Sequence, residues 1–278
     1  WNGKISEIFV SVGDAVEEDQ LIINIELIGE QNSDNDLVSK QKINELDDDI
    51  STQVLVLGSG PGGYSAAFRA ADLGKKVVMV ERDSSLGGVC LNVGCIPSKA
   101  LLHAAKVISE TKEMAKLGVK FSSLDIDTEV LRGWKNKVVG QLTGGLSSLA
   151  KKRDVQVVNG TGTFVSANKL KVTFASGRSV YIEFENAIIA AGSEPVQIPV
   201  FPNDDARVLT STEALEVDSI PERLLVIGGG IIGLEMATVY HELGSKVTIV
   251  EFADSLIPGA DQDLVKPLHN RIEKLYEN

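Results

Sequence analysis

The stretch VLVLGSGPGGYSAAFRAADLGKKVVMVE, residues 54–81, decides the fold, because it recurs as LLVIGGGIIGLEMATVYHELGSKVTIVE at residues 224–251. The two stretches align without gaps and share twelve identities in 28 positions. Each one runs from an apolar strand through G-x-G-x-x-G into a helical pattern, and then into a second apolar strand that ends in Glu. This order is that of a βαβ unit that binds a dinucleotide. The sequence therefore predicts an α/β protein with two Rossmann-like, three-layer dinucleotide-binding units.

The glycines of the motif have separate tasks. In the first copy Gly58 permits a tight turn, Gly60 lets a pyrophosphate approach the N–H groups at the helix N-terminus, and Gly63 allows close helix–strand packing. Glu81 is expected to accept hydrogen bonds from the ribose hydroxyls. The second copy repeats the arrangement with Gly228, Gly230, Gly233 and Glu251. A glycine turn also occurs for packing alone, but two copies in the same strand–turn–helix context favour two bound dinucleotides.

The residues after each motif indicate which dinucleotide is bound. Glu251 is followed by Phe-Ala-Asp, with no Arg or Lys to neutralise a 2′-phosphate, so the second site should prefer NAD to NADP. The first site precedes the two cysteines of the chain, Cys90 and Cys95. A redox thiol pair needs a cofactor that accepts two electrons from sulfur, which a flavin does and nicotinamide alone does not. We therefore expect FAD at the first site.

The two cysteines form a C-x4-C pair. Five residues of regular helix rise about 7.5 Å, more than the roughly 4.4–6.8 Å between Cα atoms that a disulfide tolerates. The backbone between Cys90 and Cys95 must therefore be distorted, and Gly94 can supply the irregular conformation before a helix with Pro97 in its first turn. A thiolate at a helix N-terminus has a lowered pKa, so the pair is placed to be reactive.

Two other interpretations of the cysteines are half of a metal site and a pair of inert core residues. A metal site needs further ligands at suitable spacing, and the three histidines, His103, His241 and His269, show none. We therefore expect no metal site.

Composition limits the partners. The chain has 278 residues, about two domains by length, with 43% hydrophobic and 24% charged residues, as in ordinary globular proteins. The 27 basic and 39 acidic side chains give a net charge of -12, which would repel nucleic acid and anionic membranes. No apolar run is long enough for a transmembrane span and no signal peptide is visible, so a cytoplasmic location is expected. The first residue is Trp rather than Met, which suggests a fragment.

The remaining patterns suggest four regions. Residues 3–26 alternate like short strands, whereas residues 30–49 carry seven acidic and two basic side chains and are typical of a flexible linker. A long helical region is expected at 99–153, followed by strands at 155–158, 171–174 and 179–182 and a buried strand at 187–191 that ends at a glycine turn. The predicted boundaries are a small β segment at 1–28, a linker at 29–50, an FAD domain at 51–195 and the first part of an NAD domain at 196–278.

Three motifs carry a resemblance to a known family. GGVCLNVGCIPSK at 87–99, AAGSEP at 190–195 and GGGIIGLE at 228–235 resemble the flavoprotein disulfide reductases, and within them the dihydrolipoyl dehydrogenase group. The resemblance implies that Cys90 is the interchange thiol and that Cys95 makes the charge-transfer contact with the flavin. It also implies that Lys99 and Glu235 pair beside the flavin. The alternatives are an exposed helix lysine and a glutamate that favours a helix N-terminal end.

The motifs and the resemblance together predict the cofactor contacts. For FAD they are Gly58, Gly60, Pro61, Gly62, Gly63, Glu81, Arg82, Gly87, Gly88, Val89, Lys99, Gly162, Gly192 and Ser193. For NAD they are Gly228, Gly230, Ile231, Ile232, Gly233 and Glu251.

The resemblance further implies an activity: FAD-dependent oxidation of protein-bound dihydrolipoamide through a Cys90–Cys95 disulfide, with the electrons passed to NAD⁺. The implied partners are lipoyl domains of 2-oxoacid dehydrogenase complexes and a second copy of the chain. Residues 3–26 are similar to the second half of a lipoyl-attachment domain, with Gly13-Asp14 as its turn. Members of the family continue past the equivalent of Asn278 into a dimerisation domain with a catalytic His–Glu pair, so the C-terminus is expected to be cut.

Two alternatives stay open from the sequence. One is a disulfide reductase like glutathione or mercuric reductase, against which stand the residues after Glu251 and the identities of Leu91 and Ile96. The other is a non-catalytic FAD-binding or surface module.

Overall fold

The computed structural model describes residues 3–10, 23–27, 48–121 and 124–278, which divide into two units. In the first unit, strand β1 (Gly3–Ile8) pairs antiparallel with β2 (Ile23–Leu27), with a bulge between Ile5 and Glu7. This agrees with the small β element that the alternation predicts. The Gly13-Asp14 turn and almost all of the acidic linker lie outside the described residues.

The second unit contains a six-stranded sheet in the order β5-β4-β3-β8-β7-β6. Its four parallel strands are β3 (Ile50–Leu57), β4 (Val77–Glu81), β5 (Gln156–Asn159) and β8 (Ser179–Ile189). Two antiparallel strands complete the sheet: β7 (Lys169–Thr173), which pairs with β8, and β6 (Thr161–Ser166), which pairs with β7. The four parallel strands come from the predicted βαβ unit and the later strand segments, so this part of the predicted α/β fold is confirmed.

The helices of this part of the unit are α1 (Pro61–Asp72), α2 (Gly88–Val93), α3 (Cys95–Met114), which runs into a 3-10 turn (Ala115–Leu117), and α4 (Thr128–Lys152). Of these, α1 and α4 contact one face of the parallel strands. Val56 and Met79 pack on this face against side chains of α1 and α4. On the other face Leu55 and Val80 pack against β7 and β8. Both faces are buried, as parallel strands require, and the result is three layers.

The second copy of the repeat forms β9 (Arg223–Ile227), α6 (Ile231–Leu243) and β10 (Lys246–Val250), with the two strands parallel. The short helix α5 (Ser211–Ala214) precedes it, and α7 (Gln262–Ile272) follows it. A third apolar cluster packs Leu101 of α3 against Met236 and Tyr240 of α6. This packing brings the helix that begins at Cys95 against the helix that follows the second glycine turn.

The carboxyl end of β8 differs from the prediction of a buried strand at 187–191. Strand β8 ends at Ile189, whose side chain is 68% exposed, and Ala190 and Ala191 lie beyond the strand. The expectation of burial is wrong because none of the three apolar clusters of the described structure includes a residue of 187–191, so no apolar layer packs on this end of the strand. The predicted glycine turn is present, since Gly192 has a φ of +77°.

Candidate functional site

The two glycine turns have the same backbone geometry. Gly58 has a φ of 96°, and a Cβ added at Gly63 would lie 1.9 Å from the Gly58 carbonyl oxygen. In the second copy Gly228 has a φ of 109°, and a Cβ at Gly233 would lie 2.1 Å from the Gly228 oxygen. The first and third glycines therefore do what the sequence predicts: the first makes a left-handed turn, and the third lets the helix approach it.

The helix N-termini after both turns are open to an anion. In the described structure neither α1 nor α6 has a side-chain cap on its first N–H groups or an acidic residue in its first turn. Their N-cap residues are Gly60 and Gly230. Uncapped N–H groups at the positive end of a helix dipole form a site for a phosphate.

In each repeat copy, the glutamate that ends the second strand is hydrogen-bonded to the glycine turn of that copy. Glu81, which is 5% exposed, accepts hydrogen bonds through Oε2 from the Ser59 N–H at 2.8 Å and the Ser59 hydroxyl at 2.5 Å, and through Oε1 from the Asp83 N–H at 2.9 Å. The sequence analysis missed Ser59, although its place between two motif glycines was a signal. The carboxylate of Glu81 therefore also orders the turn, whereas its contact with a ribose stays a prediction.

Glu251 repeats the arrangement with backbone donors alone. Its Oε2 accepts from the Gly229 N–H at 2.7 Å and its Oε1 from the Ala253 N–H at 2.8 Å. These N–H groups, that of Ala253 first, lower the pKa of the Glu251 carboxyl. Gly229 takes the place that Ser59 has in the first turn, and a Cβ there would lie 2.4 Å from Leu256 Cδ2, so a serine would require the Leu256 side chain to shift.

A cavity of about 600 Å³ joins the first turn to the cysteines. Of the residues predicted to form sites, those that line it are Gly58, Gly60, Pro61, Glu81, Arg82, Gly88, Val89, Cys90, Cys95, Lys99, Gly162, Gly192, Ser193, Ile231, Ile232 and Glu235. Ile231 and Ile232, which the sequence assigns to NAD, thus face the first site from α6. Those outside its lining are Gly62, Gly63 and Gly87, beside it along the chain, and Gly228, Gly230, Gly233 and Glu251 at the second turn. The volume lies within the range of small-molecule sites.

Two glycines let segments of the cavity wall pack closely against each other. A Cβ at Gly88 would lie 2.7 Å from Gly60 Cα, and one at Gly162 would lie 2.8 Å from Leu57 Cδ1. Arg82 lies at the cavity and donates to Glu194 at 3.0 Å, and this contact is the main cause of the raised pKa of Arg82.

The backbone breaks between the two cysteines, as the C-x4-C spacing predicts. Cys90 lies in α2, Cys95 is the first residue of α3, and Gly94 between them has φ −144° and ψ −112°. A Cβ at Gly94 would lie 2.9 Å from the Val89 carbonyl oxygen, so glycine is needed here for close approach rather than for a positive φ. Both thiols are free, and they lie close enough for Cys95 to influence the pKa of Cys90.

The pKa of the Cys90 thiol is raised, first by burial and then by the hydrogen bond with the Cys95 thiol. The Cys95 N–H and the Lys99 charge act in the opposite direction but more weakly. The expectation of a lowered pKa is therefore wrong for Cys90. The reason lies in the tertiary structure. Cys90 packs against the apolar cluster that includes Ala67 and Phe68 of α1, and the thiolate form is disfavoured there because less water can solvate it.

Lys99 and Glu235 form the pair that the resemblance implies, with Lys99 Nζ 4.0 Å from Glu235 Oε1. A third residue, which the sequence analysis missed, completes the group. The Ser98 hydroxyl donates to Glu235 Oε2 at 2.5 Å, and Ser98 is 3% exposed. Its only signal in the sequence was its position beside Lys99.

The described residues offer no site for a metal ion and no membrane-spanning helix. No three His, Cys, Asp or Glu side chains of the described segments come close enough together to hold a metal ion. Among the helices in these segments, none has the length and apolarity to cross a membrane.

The fold and the site define an α/β dinucleotide-binding protein with a redox-type thiol pair beside its first glycine turn. The model of the pyridine nucleotide-disulphide oxidoreductase family matches residues 52–275, and the chain belongs to that family.

Similar proteins agree with this placement. The chain is 58% identical over 229 residues to a dihydrolipoyl dehydrogenase of Vibrio parahaemolyticus, a match that covers 82% of this chain and 48% of the relative. It is 44% identical to the mitochondrial dihydrolipoyl dehydrogenase of Pisum sativum, covering 80% of this chain and 44% of the relative. The chain thus spans about half the length of these relatives. A solved Cu(II) complex of a mutant of the HOCl-induced flavoprotein disulfide reductase RclA from Escherichia coli superposes with a TM-score of 0.69 at 28% identity, covering 81% of this chain and 48% of that one.

Proposed function

We propose that this chain carries the flavin and disulfide part of a dihydrolipoyl dehydrogenase, which oxidises protein-bound dihydrolipoamide and passes the electrons to NAD⁺. One observation carries the proposal: both thiols line the same cavity as the first glycine turn and the Lys99–Glu235 pair. The relatives named dihydrolipoyl dehydrogenase, at up to 58% identity, supply the substrate class.

The residues at the first turn fit FAD. The backbone of Gly88 approaches that of Gly60 so closely that a Cβ at Gly88 would lie 2.7 Å from Gly60 Cα, so this wall presents backbone rather than a side chain at Gly88. The uncapped start of α1 suits a pyrophosphate, and Glu81 suits a ribose. FAD, when bound, takes up two electrons from the thiols and makes them available to NAD⁺.

The second turn fits NAD. The uncapped start of α6 after Gly230 suits the pyrophosphate, and the Glu251 carboxylate suits a free 2′-hydroxyl. Its lowered pKa keeps Glu251 ionised at neutral pH, so that it repels a 2′-phosphate.

The cysteines can exchange a disulfide with the substrate. When they are oxidised, a dihydrolipoamide thiolate attacks Cys90 Sγ, a mixed disulfide forms, and Cys95 leaves as a thiolate. The second substrate thiol then displaces Cys90, so that lipoamide leaves and the dithiol remains. This order follows the roles that the family resemblance implies, with Cys90 for the substrate and Cys95 for the flavin.

The partners and the location belong to the same proposal. Lipoyl domains of 2-oxoacid dehydrogenase complexes would supply the substrate, the complete protein would be a homodimer, and it would work in the cytoplasm. The lipoyl-like interpretation of residues 3–26 and the four regional boundaries are retained as part of this proposal.

The test is made on the FAD-loaded protein after two-electron reduction. Although burial raises the pKa of Cys90, a flavin in contact with Cys95 would shield that thiol, so we expect iodoacetamide to label Cys90 before Cys95. We also expect a long-wavelength charge-transfer band that Cys95→Ser abolishes. Cys90→Ser should keep the band but end turnover of dihydrolipoamide with NAD⁺. Labelling of Cys95 first, with the band surviving in Cys95→Ser, would reverse the roles. A folded but colourless protein would support the binding module, and faster turnover of glutathione disulfide with NADPH would support the other reductase type.

A further inference from the structure

We propose that Ser98 is a positioning residue, which fixes the Glu235 carboxylate so that one of its oxygens faces Lys99 in the cavity wall. The inference deepens the proposed function, because it concerns the pair that is assigned to the flavin site. The three side chains come from two helices, since Ser98 and Lys99 belong to α3 and Glu235 belongs to α6.

The direction of the hydrogen bond is fixed by chemistry. A carboxylate can only accept, so the Ser98 hydroxyl must donate to Glu235 Oε2, at 2.5 Å. The two oxygens of a carboxylate lie in one plane, and holding Oε2 on the buried side leaves Oε1 toward Lys99 Nζ, 4.0 Å away. The hydroxyl therefore determines which way the carboxylate faces.

The ion pair with Lys99 cannot by itself fix the orientation of the Glu235 carboxylate. Its side chain is 66% exposed, and an exposed ion pair gains little because two long side chains must give up rotamer freedom. Ser98, by contrast, is 3% exposed and has a short side chain, so its hydroxyl is held by the packing of α3 against α6. A hydrogen bond to an ionised acceptor is also stronger than one between neutral groups. The buried serine is thus the fixed member of the group and Lys99 the mobile one.

The first experiment needs no flavin. The protein is treated with a water-soluble acetylating ester, and acetylation of Lys99 is followed by peptide mass spectrometry relative to Lys106, which pairs with Glu110 elsewhere on α3. In Ser98→Ala the freed carboxylate holds Lys99 less well, and we expect Lys99 to react about two to five times faster. In a Glu235→Ala background the same serine substitution should have no effect. An unchanged rate in Ser98→Ala, or an equal increase in the Glu235→Ala background, would overturn the proposal.

A matched control separates positioning from general destabilisation. Ser245 is also 3% exposed, and its hydroxyl donates to the Pro221 carbonyl at 2.6 Å, but it does not line the cavity. Ser245→Ala should leave the Lys99 rate unchanged. If it speeds Lys99 as much as Ser98→Ala does, Ser98 acts only through stability and the proposal is wrong.

The second experiment uses the FAD-loaded protein. Ser98→Ala should shift the flavin reduction potential in the same direction as Glu235→Ala. The double variant should show no larger shift than Glu235→Ala alone, and Ser245→Ala should leave the potential unchanged. A potential unmoved by Ser98→Ala would count against the proposal. Failure of the chain to bind FAD would contradict the proposed function instead, and the acetylation experiment would still decide the role of Ser98.

Discussion

At the residue scale, the two thiols sit five residues apart in different surroundings. Burial and the Cys95 thiol together raise the pKa of Cys90, so replacing Cys95 removes the second of these causes. We predict that Cys95→Ala moves the midpoint of Cys90 alkylation to lower pH in the reduced protein without FAD, because the thiolate is the reactive form. The rate with iodoacetamide, measured as a function of pH, gives the midpoint. A midpoint that stays in place or rises would show that the contact between the thiols does not control Cys90.

Glu251 gives a second prediction at this scale. Its charge opposes a 2′-phosphate, so Glu251→Gln with an added Arg nearby should shift selectivity from NADH toward NADPH by about tenfold, since like charges in a site cost over 1 kcal/mol. The ratio of the two dissociation constants measures the shift. Asp254→Asn with the same added Arg removes the same charge from an exposed side chain three residues later and serves as the control. An equal shift in this control would mean that net charge, rather than the position of Glu251, sets the preference.

At the scale of elements, α3 and α6 are also joined at the end remote from the cavity. Lys112 of α3 pairs at 2.9 Å with Glu242 of α6, whose side chain is only 8% exposed. Lys112→Met leaves this buried carboxylate without its cation and should lower the free energy of unfolding by about 1–2 kcal/mol, less than for a fully buried pair because Lys112 is half exposed. Urea unfolding measures the change. Lys106→Met, which breaks the exposed pair with Glu110, should cost less than about 0.5 kcal/mol, and equal effects of the two variants would refute the argument.

At the scale of the whole unit from residue 48 onward, one apolar cluster joins helix α3, which follows the first repeat copy, to α6 of the second copy. Leu101, which is 1% exposed, packs in it with residues of α6, while Lys135 of α4 donates to the Leu215 carbonyl at 3.0 Å. We predict that Leu101→Ala lowers the free energy of unfolding by about 2–5 kcal/mol and weakens hydrogen-exchange protection in α3 and α6 together. Loss of protection in α3 alone would show that α3 and α6 open independently. Leu170→Ala, in the cluster of the antiparallel strands, controls for general destabilisation.

The sequence predicted most of what depends on short stretches of chain. The spacing of Gly58, Gly60 and Gly63 predicted a turn whose close contacts the structure confirms, and the C-x4-C spacing predicted the break at Gly94. The pairing of Lys99 with Glu235 came from the resemblance rather than from the residues, because 136 positions separate the two along the chain. Site roles were therefore predictable where backbone geometry alone sets them.

The sequence by itself determined the two βαβ copies, the turns and the break between the thiols, since glycine spacing and apolar periodicity act through local sterics and hydrogen bonds. The tertiary structure alone decided three further features. The pKa of Cys90 rises because an apolar cluster built from distant elements buries it, and Ser98 meets Glu235 because α3 packs on α6. The end of β8 is exposed because no apolar cluster of the described structure packs on residues 187–191. The burial of a side chain and the contacts between helices depend on which distant segments of the chain pack together, and local sequence patterns do not determine this.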